Sequence, residues 1–429
     1  MAVRGIPRLA AACAIALAGL LAPWTPAARA ASGAGAAAAS APPARSLRET
    51  PRLLGDPWGA RSRLESLGVS LQLFFNTYLG AKVRGGADPG DVVRNSGTYD
   101  LFTRVDLEEL AGVQGLDLLA QVKGGYGRNA NPQVGALSDP IDDADFDEPI
   151  YLAQLWAEQS LLGQRLRVRA GYLDQQTILD RNAYANTEDV QFMSTFLDNS
   201  PIVPLKVGLG AALFVQPVDW LELAIGTADA DNQPRGSGFD TAFDGADSLM
   251  GYAELAFQLR IAGPRGPLPG AYRLGAFLDG SERAVLSGDP SPGAERGHAG
   301  FYLSLDQLVF RERRDDTQGI GVFARYGVAD DEVNPIARFW SVGLQVEGLL
   351  PGRDADVLGL GAYQAIGSDR RRRHVDPAFD RETGVEVYYR IALLPWLALT
   401  PDVQLIENPG GSRTTGRALV LVLRARLSF

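Results

Sequence analysis

The chain has 429 residues, of which 46% are hydrophobic and 21% charged, with a formal net charge of -10. An acidic surface of this size disfavours nucleic acid as a partner. After the first segment, no apolar run is long enough for a transmembrane helix, which excludes a helical membrane protein.

The first thirty positions have the features of an export signal. Arg4 and Arg8 precede an apolar run over 9–22, and Ala28 and Ala30 form a small-residue cleavage motif. We therefore expect 1–30 to be a signal peptide that is cleaved after Ala30. The single cysteine, Cys13, would be lost with it, leaving no thiol for a disulfide or a metal.

A linker and a short helix are expected next. Positions 31–54 are rich in Ala and Pro with few bulky apolar residues, which predicts a disordered or loosely attached linker. Within 55–68, Asp56 is a predicted N-cap, Pro57 the first helical residue and Gly68 the stop signal. The sequence thus predicts one short amphipathic helix at 55–68.

From 69 to 429 the dominant pattern is alternation of apolar and polar residues. The last run shows it best, with Leu421 and Leu423 on one face and Arg424 and Arg426 on the other, up to a terminal Phe429. We count about sixteen such runs, roughly one per 22 residues, which suits tilted membrane-spanning strands. The predicted fold is all-β: a transmembrane up-and-down antiparallel β-barrel of about 16 strands, placed in the bacterial outer membrane as a multi-pass protein.

Connections between the runs alternate between short and long, as periplasmic turns and external loops do in such barrels. Trp220 and Trp396 lie beside short turns, where an interfacial aromatic girdle is expected. The longest connection, 174–204, mixes charged residues with Phe192 and Phe196, and connections of that length are usually functional or disordered. We predict that it folds into the lumen, with a surface loop as the alternative. The six long connections are 81–96, 128–149, 174–204, 229–247, 281–298 and 368–380.

Charged and aromatic residues at inward-facing positions are the candidate solute contacts. Neutral polyols bind through hydrogen bonds, and charge-assisted bonds from arginine and carboxylates are the stronger kind. For any single residue, the alternative is that it only keeps the pore wet and pairs with the other charged residues. The hypothesised constriction residues are Arg167, Arg169, Glu158, Trp156, Arg104, Asp106, Asp180, Arg181, Asp198, Asn199, Arg390 and Arg424. Further inward charges are Lys123, Glu222, Glu254, Arg260, Arg273, Asp306, Arg325, Glu347, Glu386, Asp402 and Arg426.

Several segments resemble the carbohydrate-selective porins of the OprB family. The resemblance implies a sixteen-stranded barrel, passive uptake of sugars, and a lumen narrowed by an inward-folded loop with charged residues. The segments that carry it are Gly55-Asp56-Pro57-Trp58-Gly59, Gln154-Leu155-Trp156-Ala157-Glu158-Gln159, Leu166-Arg167-Val168-Arg169-Ala170-Gly171, Phe196-Leu197-Asp198-Asn199-Ser200, Tyr388-Tyr389-Arg390, Pro401-Asp402-Val403-Gln404 and Asn408-Pro409-Gly410-Gly411.

Two other groups of residues suggest chemistry less strongly. An acidic run from Asp139 to Glu148 lacks the glycine of an EF-hand, so we interpret it as a solvated external loop, with a bound divalent ion as the alternative. The histidines, His298 and His374, have no nucleophile beside them in sequence. We therefore expect no enzyme activity, no metal site and no cofactor.

The sequence favours an outer-membrane porin for passive, carbohydrate-selective diffusion of mono- or disaccharides. A nonspecific ion-conducting porin and a closed-lumen barrel that binds surface polysaccharide are the alternatives, and a soluble periplasmic sandwich is the weakest. Expected partners are the sugars, outer-membrane lipid and lipopolysaccharide. A homotrimer remains open.

Overall fold

The structure is a computed structural model that describes residues 50–144, 149–204, 207–231, 248–289, 291, 293–313 and 318–429. The predicted signal peptide and most of the predicted linker lie outside these residues. In the part of the chain described, no helix combines the length and the apolar character needed to cross a bilayer.

Sixteen antiparallel strands in the described residues form one closed barrel in which each strand pairs with its neighbours in sequence and β1 pairs with β16. This confirms the predicted barrel. The strands are β1 (Val69–Gly86), β2 (Val92–Asp106), β3 (Leu116–Gly127), β4 (Tyr151–Leu161), β5 (Leu166–Asp174), β6 (Val207–Val218), β7 (Leu221–Asp229), β8 (Leu249–Gly263), β9 (Gly266–Ala284), β10 (Ala294–Arg311), β11 (Gly319–Ala329), β12 (Ile336–Glu347), β13 (Val357–Gly367), β14 (Arg381–Leu394), β15 (Leu397–Glu407) and β16 (Gly416–Ser428).

Helices are short and lie in the connections or before β1. The α-helices are α1 (Ala60–Glu65), α2 (Leu107–Ala111), α3 (Asn131–Val134), α4 (Thr195–Asp198) and α5 (Asp369–His374), and 3-10 turns cover Pro57–Gly59, Asp142–Ala144, Gln175–Thr177 and Pro409–Gly411. The α-helix near the N-terminus is shorter than the 55–68 expected, because Trp58 and Gly59 adopt left-handed backbone conformations that interrupt it. Asp56 still accepts a hydrogen bond, at 2.8 Å, from the N–H of Arg61.

The faces of the strands are distributed as a membrane barrel requires. Leu421 and Leu423 of β16 are exposed outward, whereas Arg424, the next residue, is 1% exposed and faces inward. The same holds on β15, where Val403 is exposed and Asp402 is buried. A soluble sandwich would bury the aliphatic face and expose the charges, so this distribution contradicts that alternative.

Inward-facing tyrosines lie flat against glycines of the neighbouring strand. A Cβ on Gly384 would lie 2.2 Å from the ring of Tyr363, and one on Gly359 would lie 2.1 Å from the ring of Tyr388. Glycine is therefore required at both positions for the rings to lie along the wall. This packing keeps the wall thin and leaves interior space for the connecting segments.

Two of the predicted long connections, 81–96 and 281–298, are shorter in the structure. β1 continues to Gly86 and β9 to Ala284, and their partners begin at Val92 and Ala294. The hydrogen-bonded ladder continues past the lipid-facing belt, where an outward residue need not be apolar. Alternation therefore fades before the strand ends.

Candidate pore constriction

The segment after β5, residues 175–204, is held inside the barrel by carboxylates of the wall. Glu386 of β14 accepts hydrogen bonds from the backbone N–H groups of Met193 and Ser194, at 2.7 and 3.0 Å. Glu254 of β8 accepts one from the N–H of Asp180 at 2.9 Å. Both glutamates are buried, so the segment supplies the donors that their oxygens would otherwise lack.

Arginines of the wall bind the carbonyl groups of the same segment. Arg325 of β11 donates to the carbonyls of Leu197 at 2.8 Å, Asp180 at 3.3 Å and Ala185. Arg424 of β16 donates to the carbonyls of Glu188 at 2.6 Å and Gln191 at 3.1 Å. Both arginines are almost completely buried. They anchor the backbone of the segment, whatever its side chains are.

Aromatic side chains of the segment pack against rings on β11 to β14. The ring centroid of Phe192 lies 5.5 Å from that of Phe323 and 5.0 Å from that of Tyr388, both edge-to-face. Phe196 packs in the same way against Phe339 and Tyr363, at 5.8 and 5.5 Å. These contacts form a hydrophobic core inside a barrel whose wall is otherwise lined with charges.

A second connection, in residues 128–144, also packs inside, which contradicts the interpretation of the acidic run as a solvated loop. Asp143 is buried, lies 2.7 Å from the ammonium of Lys123, and accepts a hydrogen bond from the hydroxyl of Tyr78 at 2.8 Å. The two segments touch where the N–H of Asp142 donates to the carbonyl of Met193 at 2.9 Å. Lys123 lies on β3, outside the acidic run. The run by itself therefore predicted a solvated loop. Asp145, Asp147 and Glu148 lie outside the described residues.

Charged residues of β4, β5 and β7 form a connected cluster with one arginine of the inner segment. We call this cluster the arginine row: Glu158, Arg167, Arg169, Arg181 and Glu222. Arg167 lies 3.4 Å from Glu158 and 2.7 Å from Glu222. Arg169 lies 2.8 Å from Glu158, and Arg181 of the inner segment lies 2.8 Å from Glu222. The structure therefore brings together four of the predicted residues and adds Glu222.

Aromatic rings support two of these guanidinium groups. The guanidinium of Arg169 lies 4.1 Å from the ring centroid of Trp156, and that of Arg167 lies 4.4 Å from the ring centroid of Phe214. Cation–π contacts of this kind restrain a planar guanidinium without using its N–H donors. Trp156 thus supports an arginine.

Four predicted residues are not part of the arginine row. Arg104 forms its own ion pair with Asp117, at 2.8 Å. Asp106 caps α2, accepting from the N–H groups of Glu108 and Glu109. Arg390 donates to the carbonyl of Ala355 in a short turn, at 3.2 Å, and Arg424 is covered by the inner segment.

The remaining predicted residues lie in the inner segment itself. Asp180 pairs with Arg325 at 3.0 Å. Asp198 is 1% exposed and accepts a hydrogen bond from the side chain of Asn199 at 2.6 Å. Burial raises the pKa of Asp198 well above its usual range, and the carboxylates of Asp142 and Asp189 add to this, while Arg325 opposes it.

Sequence reasoning placed Glu222, Glu254, Arg325 and Glu386 on the inner face but did not include them among the constriction residues. Each is a charged residue at an inward-facing strand position, and that signal was present in the sequence. Alternation places many such residues on the inner face but does not show which of them meet a connecting segment. Their partners are backbone groups, which have no sequence signature.

Comparison with known proteins agrees with this architecture. The family model described as "Carbohydrate-selective porin, OprB family" matches residues 92–429. Porin B of Pseudomonas aeruginosa is 24% identical, with 88% of this chain and 91% of that protein covered. A putative porin, QuiX, of Acinetobacter baylyi is 21% identical, covering 88% and 93%.

A solved structure shows the same fold. The high-pH structure of Pseudomonas putida OprB superposes with a TM-score of 0.80 at 20% identity, over 90% of this chain and all of that one. Together with the closed barrel, the family match over most of the chain points to an outer-membrane channel. The chain belongs to the carbohydrate-selective porin, OprB family.

Proposed function

We propose that this porin carries small sugars passively across the outer membrane, and that the inner segment 175–204 and the arginine row form the selective part of its passage. The observation that carries the proposal is that Glu222 of the wall pairs both with Arg181 of the inner segment and with Arg167 of the wall. The segment and the wall contribute to one polar cluster. A solute that moves between them would meet hydrogen-bonding groups from both.

This cluster has the chemistry that polyol passage needs. Sugar hydroxyls must exchange water for donors and acceptors, and the guanidinium and carboxylate groups supply both. Selective conduction also requires binding weak enough for release. Because the charges in the row already pair with each other, a neutral sugar competes with existing ion pairs and is held weakly.

The test is single-channel current through the refolded protein in a planar bilayer while glucose is added. We expect a concentration-dependent reduction of the current. Arg169→Ala should raise the half-blocking concentration about tenfold, because hydrogen bonds to charged groups contribute about 1.5–3 kcal/mol and about 1.4 kcal/mol corresponds to a factor of ten. Arg296→Ala is the matched control, since Arg296 is exposed and pairs with the exposed Glu282.

Other outcomes would contradict the proposal in distinct ways. A steady current that no sugar reduces would favour a nonspecific ion-conducting porin. Absence of any current would favour a closed-lumen barrel that binds surface polysaccharide. An equal shift in Arg169→Ala and Arg296→Ala would move the sugar site away from the arginine row.

A further inference from the structure

In most ion pairs of the arginine row, and in the pair beside it, the arginine side chain is more exposed than the carboxylate side chain. The side chain of Arg181 is 38% exposed and that of Arg167 is 21% exposed, whereas their shared partner Glu222 is 8% exposed. In the neighbouring ion pair, Arg104 is 33% exposed and Asp117 is 20% exposed. The exception is Arg169, whose side chain is about as exposed as that of its partner Glu158.

Every carboxylate oxygen of the row already accepts one hydrogen bond from an arginine. One oxygen of Glu222 accepts from Arg181 and the other from Arg167. Both oxygens of Glu158 are occupied as well, by Arg167 and Arg169. A guanidinium, by contrast, carries several N–H donors in a planar fork, and an ion pair uses only some of them.

The arginine row also has more positive than negative groups. Arg167, Arg169 and Arg181 face two carboxylates, Glu158 and Glu222, in the row. Asp117, beside Glu158, pairs with Arg104. Glu254 is 2% exposed, and its Oε2 accepts from the hydroxyl of Tyr302 and the N–H of Asp180. A ligand at the row therefore meets mainly cationic donors, although the chain as a whole is acidic.

We infer that the arginine row prefers sugars that carry a carboxylate, such as aldonates and uronates, over the neutral sugars of the same size. Planar guanidinium groups bind carboxylates in a bidentate manner, and such charge-assisted bonds are about twice as strong as neutral ones. The sugar hydroxyls would use the remaining donors. This inference rests on the proposed function, because it names the substrate class of the same passage.

The experiment compares gluconate with glucose as blockers of single-channel current at constant ionic strength and at both signs of voltage. Gluconate should block at about a tenfold lower concentration. Arg167→Gln and Arg181→Gln should each bring the two half-blocking concentrations closer together while glucose still blocks. Arg296→Gln should leave their ratio unchanged.

A variant expected to strengthen the block by gluconate controls for loss of binding caused by misfolding. Glu222→Gln releases two guanidinium groups from their carboxylate and should strengthen the block by gluconate more than the block by glucose. Equal half-blocking concentrations in the wild type, or a ratio that Arg167→Gln, Arg181→Gln and Glu222→Gln leave unchanged, would overturn the inference while the proposed function stands. If neither solute blocks, the proposed function fails as well.

Discussion

Asp198 is a carboxyl group enclosed by the inner segment and by the acidic connection that packs beside it. Its neighbours include Asp142, Asp189 and Arg325, and burial is the largest contribution to its raised pKa. A buried carboxyl group with a raised pKa favours its protonated form. Residue 198 therefore links the position of the inner segment to pH.

Docking of the inner segment should weaken as pH rises. The docked state holds the Asp198 proton more tightly than the undocked state, where the pKa is close to its ordinary value of about 3.9. The stabilisation is thus complete below that pH and decreases as pH rises towards the raised pKa. We expect open-channel current noise to increase as pH rises above about 4, the ordinary pKa of the carboxyl group, and Asp198→Asn to reduce this dependence.

Single-channel recording across that pH range measures the effect directly. Asp219→Asn is a suitable control because Asp219 is exposed in the short turn between β6 and β7. An identical pH dependence in Asp198→Asn and the wild type would show that another group is responsible.

Among the larger elements, the inner segment depends on wall residues that are distant in sequence. Glu386 holds the N–H groups of Met193 and Ser194, and Arg325 holds three carbonyl groups. Removing one such side chain leaves buried backbone groups without partners, at a cost of about 1–3 kcal/mol each. Docking of the segment is therefore sensitive to single wall substitutions.

Glu386→Ala should loosen the inner segment and widen the passage. We expect higher single-channel conductance, and faster swelling of proteoliposomes in a trisaccharide relative to a monosaccharide. Glu407→Ala is the control, because Glu407 forms an exposed ion pair with Arg417. Unchanged conductance and unchanged size dependence in Glu386→Ala would mean that the segment does not limit the passage.

The seam between β1 and β16 is extended by an arginine of α1. The N–H of Phe429 donates to the carbonyl of Leu73 at 2.9 Å. Arg61 continues this ladder, donating to the carbonyl of Leu71 at 2.6 Å and to that of Phe429 at 3.1 Å. A side chain thus bridges the two strands where backbone pairing ends.

Arg61→Ala should lower the thermal stability of the barrel. Loss of two hydrogen bonds from a charged donor corresponds to about 1.5–3 kcal/mol each in other proteins. The shift of a folded barrel to its unfolded mobility on a heated gel measures the unfolding temperature. Arg63→Ala, an exposed residue of the same helix, should have little effect; an equal decrease in both variants would argue against the seam contact.

Strands were predictable from the sequence where their two faces meet different surroundings, because apolar and polar residues then alternate along the chain. The strand bounds of β12 and β13 follow from alternation because one face meets lipid and the other a polar interior. The far ends of β1 and β9 do not, because both faces meet water there. The contacts of Asp143 and Glu386 depend on which segments meet inside the barrel, and no local pattern encodes them.

At the scale of the whole molecule, the interior holds packed segments and a polar row. The inner segment is anchored by β8, β11, β14 and β16, and the acidic connection by β1 and β3. The arginine row belongs to β4, β5 and β7, with Arg181 reaching it from the inner segment. The proposed passage runs between this row and the packed segments.

The most direct test of this account is the swelling rate of proteoliposomes in isotonic glucose compared with a neutral solute of the same size that is not a sugar. Sugar-selective passage predicts faster swelling in glucose, and a smaller difference in Arg169→Ala. Equal rates for the two solutes in the wild type would contradict it, because the barrel would then discriminate by size alone.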